Sequence, residues 1–366
     1  MKKKNILSIL ILTILPISTF AQNSELMPTL PALTISPDAR SSAMGDAGVA
    51  TSVDATSQHW NAAKYVFSQN DGGIAVSYTP WLRSATKDIY ITYLSGFYKY
   101  NDKESLNASL RFFSLGNIDF YTSNYEFLQT ARPNEFAFDV SYSRRLGKYA
   151  SGAVTFRYIN STKVTIQNTN PVIEHTSNVA GDIAFFYQKP VIFSFAPKSE
   201  LAFGATISNL GTKLDISDSI SYFLPMTMRL GARVTFNFND INFFSPVVEL
   251  YKSLVPTNYK YRNETVMSAA MHGITSDLSR IAWILGAEYS YKNQLFIRAG
   301  YHLESQRVNN NSYITFGIGV KYRNWDLGAS YLFVTDSSNT ILDNTYRISI
   351  ALTFGNNKRS WYEYNL

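Results

Sequence analysis

Few side chains in this sequence could carry out acid–base, nucleophilic or metal chemistry. The four histidines, His59, His175, His272 and His302, do not have the spacing of metal ligands, and no phosphate-binding loop or dinucleotide fingerprint occurs. There is no cysteine, which excludes thiolate catalysis and cysteine-bound metals. We therefore expect a protein that is not an enzyme and that has no catalytic, cofactor-binding or metal site.

The charged side chains are scattered along the chain. Lys and Arg number 33 against 27 Asp and Glu, which gives a formal net charge of +6, and Lys2, Lys3 and Lys4 supply half of it. Nucleic-acid-binding proteins concentrate lysine and arginine on one face or in one run. We therefore expect no nucleic-acid partner.

The first 21 residues have the pattern of a secretory signal peptide. Lys2–Lys4 form a positive start, residues 6–17 form an apolar core, and Thr19-Phe20-Ala21 provides a small-residue cleavage site. We predict cleavage after Ala21. Beyond it, no apolar run approaches the roughly 18 residues that a membrane helix needs.

From residue 72 onward, apolar and polar residues alternate over stretches of about ten, separated by turn residues. In the last stretch, Ile348, Ile350 and Leu352 share one face, whereas Arg347 and Ser349 share the other. A soluble sandwich would cover its apolar face with a second one, but here the opposite face carries Arg, Lys, Asp, Ser and Gly in stretch after stretch. An apolar outside around a polar inside is typical of a transmembrane β-barrel, whose closure satisfies the backbone in lipid.

The alternation predicts an all-β, antiparallel, fourteen-stranded outer-membrane barrel over residues 72–354. An even strand count places both ends of the chain in the periplasm, including the tail 355–366, with short turns there and longer loops outside. Two wrongly divided stretches would change the count to twelve or sixteen. The predicted strands are 73–80, 88–98, 104–116, 134–145, 149–160, 178–188, 199–208, 225–238, 242–252, 281–291, 294–303, 312–323, 325–334 and 344–354.

Residues 22–71 differ in composition from the barrel. Residues 38–57 are crowded with Ala, Gly, Ser and Thr, and the alanines at 39, 43, 47 and 50 share one helical face. Gly45 and Gly48 argue against one long rigid helix. We predict a partly helical plug inside the barrel; the alternative is a loose periplasmic extension.

Five residues of this segment are candidates for holding the plug or for hinging it: Arg40, Asp46, Asp54, Trp60 and Asn61. Asp46 and Asp54 are interpreted as turn and helix-cap residues, in preference to metal ligands. Trp60 and Asn61 precede the first strand and are interpreted as a structural hinge between plug and barrel. The alternative is a hatch that moves.

Nine basic side chains mostly face the predicted lumen. We expect them to pair with carboxylates of the plug and with lumen acids such as Asp139 and Glu288; the alternative is a path for anions. The nine are Arg111, Arg145, Arg157, Arg229, Arg233, Arg298, Lys321, Arg323 and Arg347.

The predicted loop 253–280 is long and carries aromatic side chains. Long loops on a rigid scaffold commonly display binding residues. The candidate partner-binding residues are Pro256, Tyr259, Tyr261 and Met267; the alternative is that the loop only covers the barrel.

Residues 30–67 read LPALTISPDARSSAMGDAGVATSVDATSQHWNAAKYVF. This stretch resembles the N-terminal signature of the PorV family of the type IX secretion system, and more remotely that of FadL-type barrels. The family pattern has an Arg after Ala or Ser, then A-M-G-D, a later Asp and W-N-P-[AS]-K. This chain departs from it at Ala62, where the family usually has proline. Further motifs follow in family order, and the resemblance covers residues 30 to 300 well.

The resemblance implies a non-enzymatic component of type IX secretion, embedded in outer-membrane lipid. Such proteins receive exported cargo that carries a C-terminal sorting domain. They associate with the very large SprA (Sov) translocon barrel and pass cargo to the surface attachment machinery, which includes the PorU sortase. External loops would bind the cargo while the plug seals the lumen.

Two other functions compete with this reading. A FadL-like channel for hydrophobic molecules predicts an apolar lumen pocket and a lateral opening made by a kinked strand, and the many lumen Arg and Lys residues speak against it. An outer-membrane acyl hydrolase would need a Ser/His geometry that the sequence does not offer.

Overall fold

The structure of the chain is a computed structural model. It describes residues 30–83, 86–122, 124–167, 170–217, 220–256, 261, 263–276, 280–304, 312–335 and 345–355. The predicted signal peptide, the tail 356–366 and Tyr259 lie outside the described residues.

Fourteen antiparallel strands close into one barrel, which confirms the predicted fold class. The barrel closes where β1 pairs with β18, from Gly72↔Phe354 to Tyr78↔Ile348. Its strands are β1 (Gly72–Pro80), β2 (Ile89–Asn101), β3 (Glu104–Leu115), β6 (Asn134–Arg145), β7 (Ala150–Gln167), β8 (Asn170–Phe193), β9 (Ala196–Gly211), β12 (Thr227–Asn237), β13 (Asn242–Ser253), β14 (Ala282–Tyr291), β15 (Leu295–Leu303), β16 (Tyr313–Tyr322), β17 (Trp325–Val334) and β18 (Tyr346–Phe354).

The predicted faces are the observed ones. Ile348 is 53% exposed on the outside of the barrel, whereas its neighbour Arg347 is 2% exposed and points inward. The same contrast separates Val76, which is exposed, from Ser77, which is buried. Apolar side chains therefore meet lipid and polar ones meet the interior, as membrane β-barrels require.

Three strands and two loops differ from the prediction. β7, β8 and β9 run well beyond the predicted 149–160, 178–188 and 199–208. The predicted loops 117–133 and 209–224 contain two hairpins. Apolar alternation marks only the part of a strand that touches lipid, so it does not reveal strand that continues into water. The hairpins pair β4 (Ile118–Tyr121) with β5 (Phe127–Ala131), and β10 (Leu214–Ser217) with β11 (Ile220–Tyr222).

Residues 30–71, called here the lumen segment, lie mostly buried within the barrel. They form a 3-10 helix (Pro31–Leu33), α1 (Ala39–Ser42) and a second 3-10 helix (Ala62–Phe67). The Asp38 side chain caps α1 by accepting the Ser41 N–H at 2.9 Å. The helix ends early because Gly45 and Asp46 take positive φ angles of 72° and 69°. The predicted helical face of four alanines therefore does not form.

The lumen segment crosses the barrel from one end to the other. Leu30 packs with Leu214 and Leu224, which lie in the long loop after β9. Asp71 lies at the opposite end, where its carbonyl accepts the N–H of Lys99 near a short turn. The barrel starts at the short-turn end as predicted. The described chain begins with Leu30 at the long-loop end, and the amino end itself lies outside the described residues.

A fourth helix lies in the predicted loop 253–280. It is α2 (Val266–Thr275), capped at its start by the Thr265 side chain. No helix among the described residues is long and apolar enough to cross a membrane.

The path of the lumen segment predicts that the chain directly before Leu30 reaches the cell surface. An epitope tag inserted directly before Leu30 is expected to bind antibody on intact cells, because Leu30 lies among the long loops. A tag placed directly after Gly355 is the control, and it should require permeabilised cells because β18 ends at the short-turn end. Staining of the first tag only after permeabilisation would contradict the observed path.

Candidate functional site: the filled lumen and the external surface

Glycines line the inner wall where the backbone of the lumen segment passes closest. A Cβ atom at Gly300 would lie 2.1 Å from the Gly45 nitrogen, and one at Gly204 would lie 2.1 Å from the Val49 carbonyl oxygen. Any side chain at these positions would push the segment away. The same crowding occurs against side chains of the segment at Gly231, Gly286 and Gly317.

Arg40 ties the lumen segment to the wall. Its guanidinium donates to both carboxylate oxygens of Glu288, at 3.0 and 2.9 Å, and to the Asp54 carboxylate at 2.9 Å. Glu288 also accepts from Arg298 Nε at 2.7 Å. Two arginines thus share one buried glutamate, and bidentate pairs of this kind fix position as well as charge. The predicted pairing of Arg298 with Glu288 is present.

Asp46 and Asp54 sit at turns of the segment. Asp54 Oδ1 accepts from the Thr56 N–H at 2.9 Å and from the Ser57 hydroxyl at 3.1 Å. Asp46 accepts from the Tyr313 hydroxyl at 2.5 Å. Among the described residues, no group of His, Asp or Glu side chains is arranged to hold a metal ion.

Trp60 and Asn61 join parts of the segment to each other and to the barrel. Trp60 Nε1 donates to the Asp38 carboxylate at 2.6 Å, and its ring lies against Gly48. Asn61 Nδ2 donates to the carbonyls of Val49, at 3.0 Å, and of Phe185 on β8, at 2.9 Å. Asn61 therefore bonds the segment to the wall directly before the second 3-10 helix.

Most wall arginines that touch the segment bind its backbone. Arg229 donates to the Asp46 carbonyl at 3.1 Å, Arg233 to the Ala50 carbonyl at 3.0 Å and Arg347 to the Ser36 carbonyl at 3.0 Å. Arg229 also pairs with the wall carboxylate of Glu249 at 2.6 Å, and Arg233 pairs with that of Glu200, so the expected pairing with lumen acids is present for these two. The segment backbone is irregular, so its buried carbonyls need donors from the wall.

Other basic residues follow the prediction in part. Arg157 pairs with Asp139 at 2.7 Å and with Asp182 at 2.9 Å, so the predicted pairing with Asp139 is present. Arg323 lies exposed in the turn after β16 and does not face the lumen.

Two charged side chains hold the segment near Gly48: Glu249, which was not among the predicted residues, and Lys64, which was noted only as part of the family motif. Glu249, fully buried, accepts the N–H groups of Gly48 at 2.8 Å and Val49 at 3.0 Å. Lys64 donates to the Gly48 carbonyl at 2.9 Å and is fully buried. Glu249 is a single acidic residue on the inward face of the predicted strand 242–252, and this position is the feature of the sequence that could have identified it.

A small cleft lies between the lumen segment and the inner wall, toward the long-loop end. Its lining is polar and cationic, with His59, Arg157, Asn209 and Arg229. Beside it the β8–β9 register shifts between Gly181 and Ile183. Asp182 bridges this irregularity by accepting the Asn209 N–H at 2.7 Å. This cleft is not the apolar pocket that a channel for hydrophobic molecules predicts.

The candidate partner-binding loop places α2 on the outer side of the barrel wall. Thr206, Arg229 and Tyr251 line the lumen cleft, so the alternating neighbours Ile207, Met228 and Lys252 face outward. The cluster that contains Ala269 and Ala270 of α2 packs against Ile207 and Met228. Lys252 fixes the end of the helix by donating to the Ile274 carbonyl at 3.1 Å.

Two methionines are exposed on the outer face of α2. Met267 is 67% exposed and Met271 is 55% exposed, one helical turn apart. Tyr261 is partly buried, and its ring lies tilted against that of His272 with centroids 4.9 Å apart. Pro256 is buried. Of the candidate residues described, Met267 is therefore the one that is exposed.

The close approach of the lumen segment to glycines of the inner wall predicts that alanine at such a glycine destabilises the barrel, whereas alanine at a glycine with free space around it does not. Gly300→Ala is expected to lower barrel stability by about 1–3 kcal/mol, the usual cost of overpacking, because the new Cβ meets segment backbone. The temperature at which the folded band disappears in unheated gel electrophoresis measures this. Gly147→Ala is the control, since nothing lies within 4 Å of its Cβ. Equal transitions in the two variants would refute tight packing at Gly300.

The ion pairs of Arg40 predict a large loss of barrel stability when its guanidinium group is removed. Arg40→Met should destabilise the barrel by about 3–5 kcal/mol, because it leaves Asp54 and half of the Glu288 pairing without their cation. Lys198→Met, which breaks the exposed pair with Asp240, is the control and should leave the thermal transition unchanged. Similar transitions for both variants would show that Arg40 is not an anchor.

A family model described as "Type IX secretion system protein PorV" matches residues 19–260 of this chain. Among solved structures, the chain is similar to the TodX monoaromatic hydrocarbon channel deltaS2 mutant, with a TM-score of 0.51 and 11% identity over 87% of this chain and 98% of that one. It is also similar to a Pseudomonas aeruginosa FadL homologue, with a TM-score of 0.47 and 11% identity over 91% and 100% of the two chains.

At 11% identity, the likeness to the TodX structure shows the barrel fold alone. A sequence comparison with curated proteins finds none that matches this chain. The family model, by contrast, covers more than half of the sequence and includes the motif-bearing residues 30–67. The chain is therefore a member of the PorV family of type IX secretion system proteins.

Proposed function

We propose that this outer-membrane barrel serves type IX secretion as a docking platform and not as a conduit. It binds exported cargo through the C-terminal sorting domain and associates with the SprA/Sov-type translocon barrel. It then passes the cargo to the PorU-type attachment complex at the cell surface. Family membership supports a role in this system. The filled lumen and the exposed outer surface support a docking platform in preference to a conduit.

The filled lumen is the observation that carries this proposal. The lumen segment crosses the barrel from Leu30 to Asp71 and packs backbone against wall glycines such as Gly204 and Gly300. Moving it would break the Arg40 pairs and the wall-to-carbonyl bonds together, and each buried polar group left unpaired costs about 1–3 kcal/mol. Cargo that reaches this protein therefore meets its external surface.

The ridge formed by Met267 and Met271 suits a partner in the same membrane. It lies on the outer side of the barrel wall, at the long-loop end, where an adjacent barrel would make lateral contact. Exposed apolar side chains are favourable sites for contact, and methionine adapts its shape to a partner. We assign this ridge to the translocon barrel.

Two measurements test the platform role. A tagged copy is isolated in mild detergent from its own outer membrane, and the proteins that accompany it are identified by mass spectrometry. We expect a translocon barrel and proteins sharing a C-terminal sorting domain. Isolation of the barrel alone, with lipid or fatty acid bound inside, would favour a channel. Normal secretion of sorting-domain cargo by a clean deletion strain would overturn the proposal.

The methionine ridge predicts a specific loss of partner contact. Replacing Met267 and Met271 together with aspartate should reduce co-isolated translocon about tenfold, because two charges would be desolvated at the contact. Replacing both with leucine keeps the apolar surface and is the control, with translocon recovery close to the parent. Undiminished recovery with the aspartate pair would exclude this ridge as the contact.

A further inference from the structure

Part of the β7–β8 hairpin stands beyond the rest of the barrel. Pairing of β6 with β7 ends at Glu135↔Ser161, and pairing of β8 with β9 begins at Ala180↔Gly211. The two long strands nevertheless continue to pair with each other from Thr162↔His175 to Gln167↔Asn170. At about 3.4 Å per residue, this two-stranded stretch, called here the external ribbon, extends roughly 20 Å.

The alternation of hydrogen bonds identifies the groups on each free edge of the ribbon. The Gln188 N–H donates to the Tyr149 carbonyl, which therefore faces β8, whereas the Ala150 carbonyl accepts from Leu146 on the β6 side. Neither pairing of β7 has a register shift. Even-numbered residues of β7 therefore turn N–H and C=O away from β8. On the ribbon these are Thr162, Val164 and Ile166.

The two edges of the ribbon differ. The partners of these residues on β8, Pro171, Ile173 and His175, face the opposite edge. Pro171 has no N–H to offer there, and proline commonly protects an edge strand from pairing. The N–H of Thr162 still belongs to the last β6–β7 pairing, Glu135↔Ser161. Beyond it, the β7 edge carries two consecutive outward donors, Val164 and Ile166, whose N–H groups have no sheet partner among the described residues. Of the two edges, the β7 edge is therefore the one whose outward positions beyond the barrel, Val164 and Ile166, each carry an N–H group.

We propose that the β7 edge of the external ribbon is the docking site for exported cargo, whose sorting domain adds a β-strand to it. This inference rests on the proposed platform function and specifies how cargo is held. An edge of unpaired main-chain groups is complementary to an extended backbone and to little else. A two-stranded ribbon is marginally stable in water and gains from a third strand, so the chemistry of the site selects a strand of the partner.

Two proline variants test this proposal. Val164→Pro removes an outward N–H on the β7 edge, and Ile173→Pro makes the same change on the opposite edge. Neither N–H takes part in the β7–β8 ladder, so the external ribbon keeps its internal hydrogen bonds in both variants. The probe is a fluorescent protein fused to a C-terminal sorting domain, captured by purified barrel in detergent. We expect about tenfold weaker capture with Val164→Pro and parental capture with Ile173→Pro.

Hydrogen exchange of the parent protein gives a second measurement. Adding the same fusion should slow exchange at the amides of Val164 and Ile166 and leave the amide of Ile173 unchanged. Parental capture by Val164→Pro, or unaltered exchange at Val164 and Ile166 in the presence of bound fusion, would overturn edge pairing while leaving the platform role intact. Failure of the parent itself to capture the fusion would count against the platform role.

Discussion

The irregular backbone of the lumen segment needs hydrogen-bond partners at membrane depth, and the inner wall supplies them. Non-helical backbone is tolerated within the hydrocarbon layer only where protein surrounds it. Here Glu249 accepts two N–H groups of the segment, while Arg229, Arg233 and Arg347 donate to its carbonyls. The polar inward faces of the strands therefore have a structural purpose.

Close packing follows from the same requirement. Hydrogen bonds of about 3 Å between wall and segment demand that the backbones approach, and glycines on the wall make room for that approach. Small residues on the segment complete the fit, with Ala43, Ala47 and Ala50 fully buried. The lumen is thus filled by protein, and the surface left for other molecules is outside.

The external surface is correspondingly uneven. β7 and β8 rise well above their neighbours, whereas β14 to β18 have nine or ten residues each. On the tall side, α2 presents methionines laterally and the external ribbon presents an open edge. A lateral contact and an upward contact can be occupied together because they lie on different faces, as the proposed bridging of translocon and cargo requires.

The sequence by itself determined the barrel, its strand count and its two faces, because contact with lipid imposes a period of two that can be read locally. It also determined the family, through residues 30–67. Only the tertiary structure decided that wall arginines bind carbonyls of the segment, that α2 lies on the outer wall, and that the segment begins at the long-loop end. These contacts join residues far apart in sequence, and they depend on how the strands align when the barrel closes. The external ribbon could not be predicted from the sequence, because strand residues outside lipid lack the alternation of apolar and polar residues that marks the membrane-spanning strands.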